Sequence, residues 1–559
     1  MYKGRVYEAH LLRRSFREGG KVRNETLANL SRLPRETIEL VRRSLRGEQF
    51  LPAAEAFEVE RSLPHGQVAA VLAMARRLEL SRLLDRASSK EHDRVLAMIC
   101  QRVLEPGSKL ACARQLAQST LAEELGVRGS DADDLYAALD WLGERQSRIE
   151  ARLAGRHLQA GELVLYDVSS SYFEGRTCPL AARGYSRDRR RGSLQIVYGL
   201  LCDGEGRPVA VEVFEGALHD DKTVPSQLEK LRERFGLTKL LLCLDRGMVT
   251  EANLDALRAE GIAWITALKA PQVKRLARKQ VLQPSLFDEL NLAEVASDDY
   301  PGERLVVCRN PLVADDRARR REELLQATER ELAPIRTRVQ AGTLQGKAEI
   351  GLAVGAVANK YKVKKYFLLE IGDDRFDYRR DQERIAEEAA LDGIYVLRTN
   401  APADRLDRAE VVRSYKQLAV VERAFRTLKS IDLEIRPINH RHAQRVRAHV
   451  FLCMLAYYLE WHLRRAWSEL TFEDEQPPLA GDPVAKAERS PEAKRKARQK
   501  RTAAGEPCHS FRTLLRELAL IARTTNRITG TDATFLKVAN PTGVQRRALQ
   551  LVGLDPDRL

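Results

Sequence analysis

Three acids, far apart along the 559-residue chain, have the side chains best suited to chemistry: Asp167 in LVLYDVSS, Asp245 in LLLCLDRG and Glu422 in SYKQLAVVERAFRTLKS. The first two each follow an apolar run and so read as acids at strand ends. Neighbouring strands of one sheet would bring both carboxylates to the same edge. An Asp that ends a strand is also commonly a loop or cap residue, so neither carries weight alone. Together, with a third acid, they make a set of anionic oxygens suited to a divalent cation. The spacing around the third acid is regular: 422 − 415 = 7 and 429 − 422 = 7, so Tyr415, Glu422 and Lys429 recur every two helical turns. They share one helix face, drifting by only roughly 20° per step. A phenol, a carboxylate and an ammonium on one face suit a metal and a phosphodiester better than a core. The plainer alternative is an exposed helix with ordinary ion pairs, such as Glu422 with Arg426.

The elements that must position these acids can be read from the apolar periodicity. ELVLYDV (162 to 168), LQIVYGLLC (194 to 202), PVAVEVFE (208 to 215), KLLLCLD (239 to 245) and IAWITALK (262 to 269) are strand-like. Asp203 to Arg207 join the second and third with turn chemistry, and TVPSQLEKLRERF and EANLDALRAEG are helical, giving the order β-β-β-α-β-α-β and a mixed sheet. The pattern breaks after Lys269. Residues 270 to 390 hold the strand-like RLVVCRN and KKYFLLEIGDDRFDYR around a charged helical stretch, and read as an insertion. IYVLRT (394 to 399) resumes the sheet, a long helix runs from about Asp404 to Ser430, and an apolar helix spans 443 to 465.

Upstream, residues 8 to 30 form a predicted hairpin around Glu18, Gly19 and Gly20 that carries Arg13, Arg14, Arg17, Lys21 and Arg23; it is either a basic ribbon or a solvated face. The domain plan is a basic hairpin and helix over 1–50, expected to bind DNA, and a helical N-terminal domain over 51–158. Core parts at 159–270 and 391–470 flank the insertion at 271–390. A basic, Pro- and Lys-rich segment at 471–508 reads as a solvated linker or a phosphate-contacting tether. A C-terminal helical region over 509–559 completes the plan.

Composition narrows the partners. Lys plus Arg exceed Asp plus Glu by 94 − 79 = 15, which favours a polyanion over a small neutral substrate. VFLCMLAYYL (450 to 459) is too short to span a membrane, which needs about 20 residues, so no membrane association is expected. The eight cysteines form no CxxC pair, which fits a reducing cytoplasm. Ser169, Ser170 and Ser171 lie in no G-x-S-x-G elbow, and no Walker sequence is present. His219, Asp220 and Asp221 read as a metal neighbour or as a loop cap. The loop from Arg176 to Arg191, with six arginines and one acid, either tracks a phosphate backbone or is a solvated excursion.

LYDVSSSYFEG, GYSRDRRRGSLQIVYGLLCDGEGRPVAVEVFEGALHDDKT, LLLCLDRGM, DGIYVLRTN and SYKQLAVVERAFRTLKS together resemble bacterial insertion-sequence DDE transposases, the group with a Tyr-Arg-Glu-Lys signature around the third acid. The resemblance implies an α/β fold: an RNase H-like mixed sheet flanked by helices, with a strand-containing insertion before the last catalytic helix. It implies that Asp167, Asp245 and Glu422 are the catalytic, metal-holding acids, with Asp167 bridging two Mg²⁺ ions, or Mn²⁺ in their place. Tyr415 and Lys429 match the flanking signature. The signature Arg falls at Leu418, so its phosphate contact is lost or passes to Arg423 or Arg426. The implied partners are double-stranded DNA, as inverted-repeat ends and target, and a second copy of the chain in a synaptic homodimer, in a bacterial, nucleoid-associated setting. The rival readings are an RNase H-like nuclease or resolvase that does not transpose, and a catalytically inactive DNA-binding regulator.

Overall fold

The computed structural model describes residues 8–48, 50, 55–188, 190, 192–283, 287–430, 432–436, 438–477 and 482–559. Arg189 and Arg191 of the arginine loop, and parts of the segments at 1–50, 51–158, 271–390 and 471–508, lie outside them. The chain divides into two units, residues 1–63 with 523–539, and residues 64–522 with 540–559.

In the first unit Leu11–Glu18 and Lys21–Asn29 pair antiparallel, closing on Glu18 opposite Lys21. Gly19 and Gly20, at φ 57° and 81°, supply the two left-handed residues that a two-residue hairpin turn requires. Arg13, Arg14, Arg17, Lys21 and Arg23 are all exposed on this ribbon. A helix at Arg35–Leu45 follows. Phe57–Pro64, Ala522–Ile528 and Thr534–Val538 form a three-stranded sheet. Two expectations change here, since both 51–158 and 509–559 were read as helical. FEVERSLP and TFLKV alternate with a period near two, and each finds its place beside the central strand.

In the second unit the helices Gly66–Arg77, Lys90–Leu104, Ala132–His157 and Ala443–Ala466 pack on one another. Asp131 and Asp134 close a capping box at the start of the third helix, and Arg156 from its last turn donates to Leu78 O (2.7 Å) at the end of the first. The Ala443–Ala466 helix is buried for most of its length, because the bundle and the sheet both pack against it. No described helix is long and apolar enough to cross a membrane.

The sheet is built from β1 (Leu163–Tyr172), β2 (Ala182–Arg183), β3 (Leu194–Asp203), β4 (Pro208–Glu215), β5 (Leu241–Leu244), β6 (Ala263–Ala267), β7 (Leu292–Val295), β8 (Arg304–Arg309) and β9 (Ile394–Thr399). The order is β7-β8-β9-β6-β5-β1-β3-β2, with β4 also on β3. β1, β5 and β6 run parallel, and β1, β3 and β4 form an antiparallel meander. This is a mixed α/β fold, a large mixed sheet flanked by helices. Asp203 holds the β3–β4 turn by accepting the N–H groups of Glu205 (3.0 Å) and Arg207 (2.9 Å).

The insertion is smaller and more helical than its sequence suggests. RLVVCR is β8 of the main sheet, because its unbroken apolar run pairs with β9 across the whole strand. The excursion lies between β8 and β9: helices Pro311–Gln340 and Lys347–Tyr361, a hairpin of Phe367–Ile371 with Phe376–Arg380, and helix Gln382–Ala389. It has a core of its own around Leu332, Ile335, Ile350, Val354 and Phe376. The long helix expected from Asp404 to Ser430 is two, Arg408–Lys416 and Leu418–Lys429, interrupted at Gln417. The basic linker also carries structure. Pro491–Gln499 is helical, and Lys496 is buried because its ammonium donates to Ser468 O (2.8 Å), Glu473 O (2.8 Å) and Glu475 Oε1 (3.0 Å).

Candidate active site

β1 and β5 are in parallel register through the pair Tyr166 and Leu244. The next residue on each is an acid, so Asp167 and Asp245 emerge side by side, on strands about 4.8 Å apart. Asp245 ends its strand as expected and accepts the Gly247 N–H (3.4 Å) at the head of a 3₁₀ turn. Asp167 does not end its strand. β1 runs on to Tyr172, paired only with β3, so Asp167 sits where the β5 side of the strand becomes free. Directly below it, Tyr166 fills space that Gly199 of β3 leaves open; a Cβ on Gly199 would lie 2.3 Å from the Tyr166 hydroxyl.

The Leu418–Lys429 helix packs on β1, with Val421, Ala424 and Phe425 buried and Glu422 exposed. The Phe425 ring meets Tyr198 of β3 edge-on at 5.5 Å, which fixes how Glu422 is presented. Asp167, Asp245, Glu422, Tyr415, Arg426 and Lys429 all line one open cavity of about 870 Å³. Arg423 is exposed and not among the lining residues.

Burial, with the like charges of Asp245 and Glu422, pushes the Asp167 carboxyl up to about 7, against the opposing pull of the Val168 N–H (2.8 Å) and the Arg187 cation. The Tyr415 phenol is raised by burial and by nearby Asp245. Lys429 is not the free cation that its sequence position suggested. Burial lowers its pKa, and its ammonium is held by Asp188 at 3.1 Å. Leu418 lines the cavity where the signature has an arginine.

Several lining residues carry no such sequence signature. Asp220 faces the cavity with its carboxylate on Arg187, and a Cβ placed on Gly247 would lie 3.4 Å from Asp220 Oδ2 and 3.5 Å from Asp245 Oδ2. His219 and Asp221 line a side cavity of about 230 Å³ that shares Arg187 and Asp220. Asn310, Lys416 and Val484 also line the main cavity, and Val484 comes from the segment read as linker. Ser170 plays a structural part, accepting the Arg187 N–H at 3.1 Å.

The donor set fits a hard divalent cation in kind: anionic oxygens from Asp167, Asp245 and Glu422 face one space, and their mutual repulsion is what a cation would relieve. Among the described residues, no three His, Cys, Asp or Glu side chains stand in an arrangement that could hold an ion. The acids share a cavity without closing on a common point.

The sheet and the Leu418–Lys429 helix thus set three acids on the wall of one open cavity. The chain belongs to the DDE transposases: residues 161–459 match the transposase DDE domain, and residues 1–55 match the N-terminal domain of IS1634 family transposases. Among solved structures, it is similar to a piggyBac transposase synaptic complex with hairpin DNA (9% identity, TM-score 0.34, covering 81% of this chain and 76% of that one). It is also similar to a Mos1 transposase paired-end complex with the left transposon end (12% identity, TM-score 0.15, 44% and 70%). No curated protein matches it in sequence.

Proposed function

We propose that this transposase cuts DNA at the ends of its own insertion sequence and joins the freed 3′-hydroxyl to target DNA, using Asp167, Asp245 and Glu422. The observation that carries the reading is the register of β1 and β5, which sets Asp167 beside Asp245 on the wall that Glu422 faces. Both reactions are in-line displacements at phosphorus, in which charge builds on the attacking and leaving oxygens. Two Mg²⁺ ions, or Mn²⁺, held by the three acids would stabilise that charge. Asp167 would take part in holding them with both other acids, since its carboxyl feels the charge of Asp245 and of Glu422. Tyr415 and Arg426 are assigned to the DNA backbone, which positions the duplex without reading its sequence. Lys429 acts through Asp188, holding the arginine loop against the helix. The exposed Arg13, Arg14, Arg17, Lys21 and Arg23 are assigned to end DNA, and the acting assembly is a homodimer that holds two ends.

The test is to incubate the purified protein with Mg²⁺ and duplexes carrying the inverted repeats that flank its coding region. End-specific cleavage followed by joining supports the proposal. Cleavage without end preference would favour a nuclease or resolvase, and binding without cleavage an inactive regulator.

A further inference from the structure

We infer that Arg187 grips the phosphate at the cleavage position, supplying a contact that Leu418 cannot make. This rests on the DNA-cleaving reading above and adds a residue to it. One turn before Glu422 stands Leu418, buried and lining the cavity with a side chain that offers a phosphate no donor. Two of the other cations around the space are committed elsewhere. Lys429 is held by Asp188 at 3.1 Å, and Lys416 donates to Ala485 O at 2.6 Å and to Pro483 O. Arg246 and Arg426 line the cavity on exposed stretches, where solvent screens them.

Arg187 reaches the same space from the loop between β1 and β3. Its side chain is 25% exposed and pairs with Asp220 through Nη2. A guanidinium carries five N–H donors in a rigid fork, so the Asp220 contact aims the group and leaves donors for a second anion. The Arg187 backbone N–H and the neighbouring Asp188 side chain are both held. The Arg187 N–H donates to Ser170 Oγ at 3.1 Å, and Asp188 accepts the Tyr172 N–H at 3.0 Å while pairing with Arg436 at 3.3 Å. A cation held this way needs no reorganisation as charge develops on the phosphate, which is where electrostatic catalysis gains most. Asp220 is a positioning residue for Arg187.

The test is a cycle between the side chain and the phosphate charge. The wild-type cleavage position is mapped first. Binding is then measured, with Ca²⁺ in place of Mg²⁺, on the flanking-repeat duplex and on the same duplex with one methylphosphonate at that position. Arg187→Ala should weaken binding of the ordinary duplex by ~10-fold or more. On the neutral-phosphate duplex it should stay within about twofold of wild type. Arg187→Lys, which keeps the charge and loses the fork, should fall between the two on the ordinary duplex, and it decides the matter if the Ala variant melts early. Equal losses on both duplexes overturn the assignment. A wild-type protein that neither binds nor cuts the end duplex overturns the DNA-cleaving reading itself.

Discussion

Two groups of acids in the larger unit show opposite uses of the same chemistry. Glu150, on the Ala132–His157 helix, is fully buried and has its counter-charge beside it. It accepts the Val211 N–H at 3.1 Å and Gln146 Nε2 at 2.8 Å, and it pairs with Lys230 at 3.4 Å. Lys230 also meets Glu212 at 3.3 Å, so the network ties the helical bundle to β4 and the segment after it. Asp167, Asp245 and Glu422 face an open cavity instead, and the Arg187 cation that eases Asp167 is itself shared with Asp220. An acid kept for the fold receives its counter-charge from the fold. Acids left short of positive charge, and facing a space that a duplex can reach, are arranged for charge that arrives from outside.

The largest effects should separate the two groups by readout. Asp245→Asn or Glu422→Gln should lower end cleavage by ~10³-fold or more, beyond the ~10²–10³ that a single oxyanion donor is worth, because the acids act as a unit. Melting temperature should hardly change. Full nicking by Asp245→Asn would break the comparison at its functional end. Glu150→Ala should do the reverse. Leaving buried Lys230 paired to Glu212 but stripped of Glu150 should cost up to ~3–5 kcal/mol in a denaturant titration, while cleavage per folded molecule is preserved. A loss of cleavage with unchanged stability would move Glu150 into the site.

How much of this was legible in the sequence depends on how local each signal is. Asp245 after LLLCL, and the spacing from Glu422 to Lys429, are readable because a strand end or a helix face is decided within a few residues; Asp167 lies inside its strand and Tyr415 on the helix before the break at Gln417, which local spacing does not reveal. Sheet membership is not readable locally either. β8 was read as part of an insertion because its partner β9 lies beyond three helices and a hairpin, and nothing within RLVVCR names that partner. The hairpin at 522–538 was missed for the same reason, as its sheet includes Phe57–Pro64 from the other end of the chain. The basic segment looked solvated because Lys496 resembles every other lysine around it, and its burial depends on carbonyls from Ser468 and Glu473. Arg187 was equally anonymous among the arginines of its loop. Its place in the cavity wall and its pairing with Asp220 single it out.

The smallest effects give the sharpest form of the comparison, because a raised pKa alone does not identify a site. Glu460, fully buried on the Ala443–Ala466 helix, is pushed up to about 7 by burial and by Asp432, although Arg464 donates to it at 2.6 Å. Asp167 is pushed to about the same value. An acid whose folded pKa lies above its unfolded one binds protons more tightly when folded. Stability from both groups is therefore greatest below about pH 4 and falls as pH rises towards about 7, where each becomes ionised in the folded protein. The fall is at most ~4 kcal/mol for Asp167, and less to the extent that water enters the cavity. Asp167→Asn and Glu460→Gln should each flatten the metal-free melting profile between these limits. Mg²⁺ should then divide them. At pH 8 it should raise the melting temperature of wild type and of Glu460→Gln by a few degrees, as expected when a ligand binds only the folded state, and leave Asp167→Asn nearly unmoved. Equal Mg²⁺ stabilisation of all three proteins would show that the ion binds away from Asp167, and would reduce that acid to a second case of Glu460.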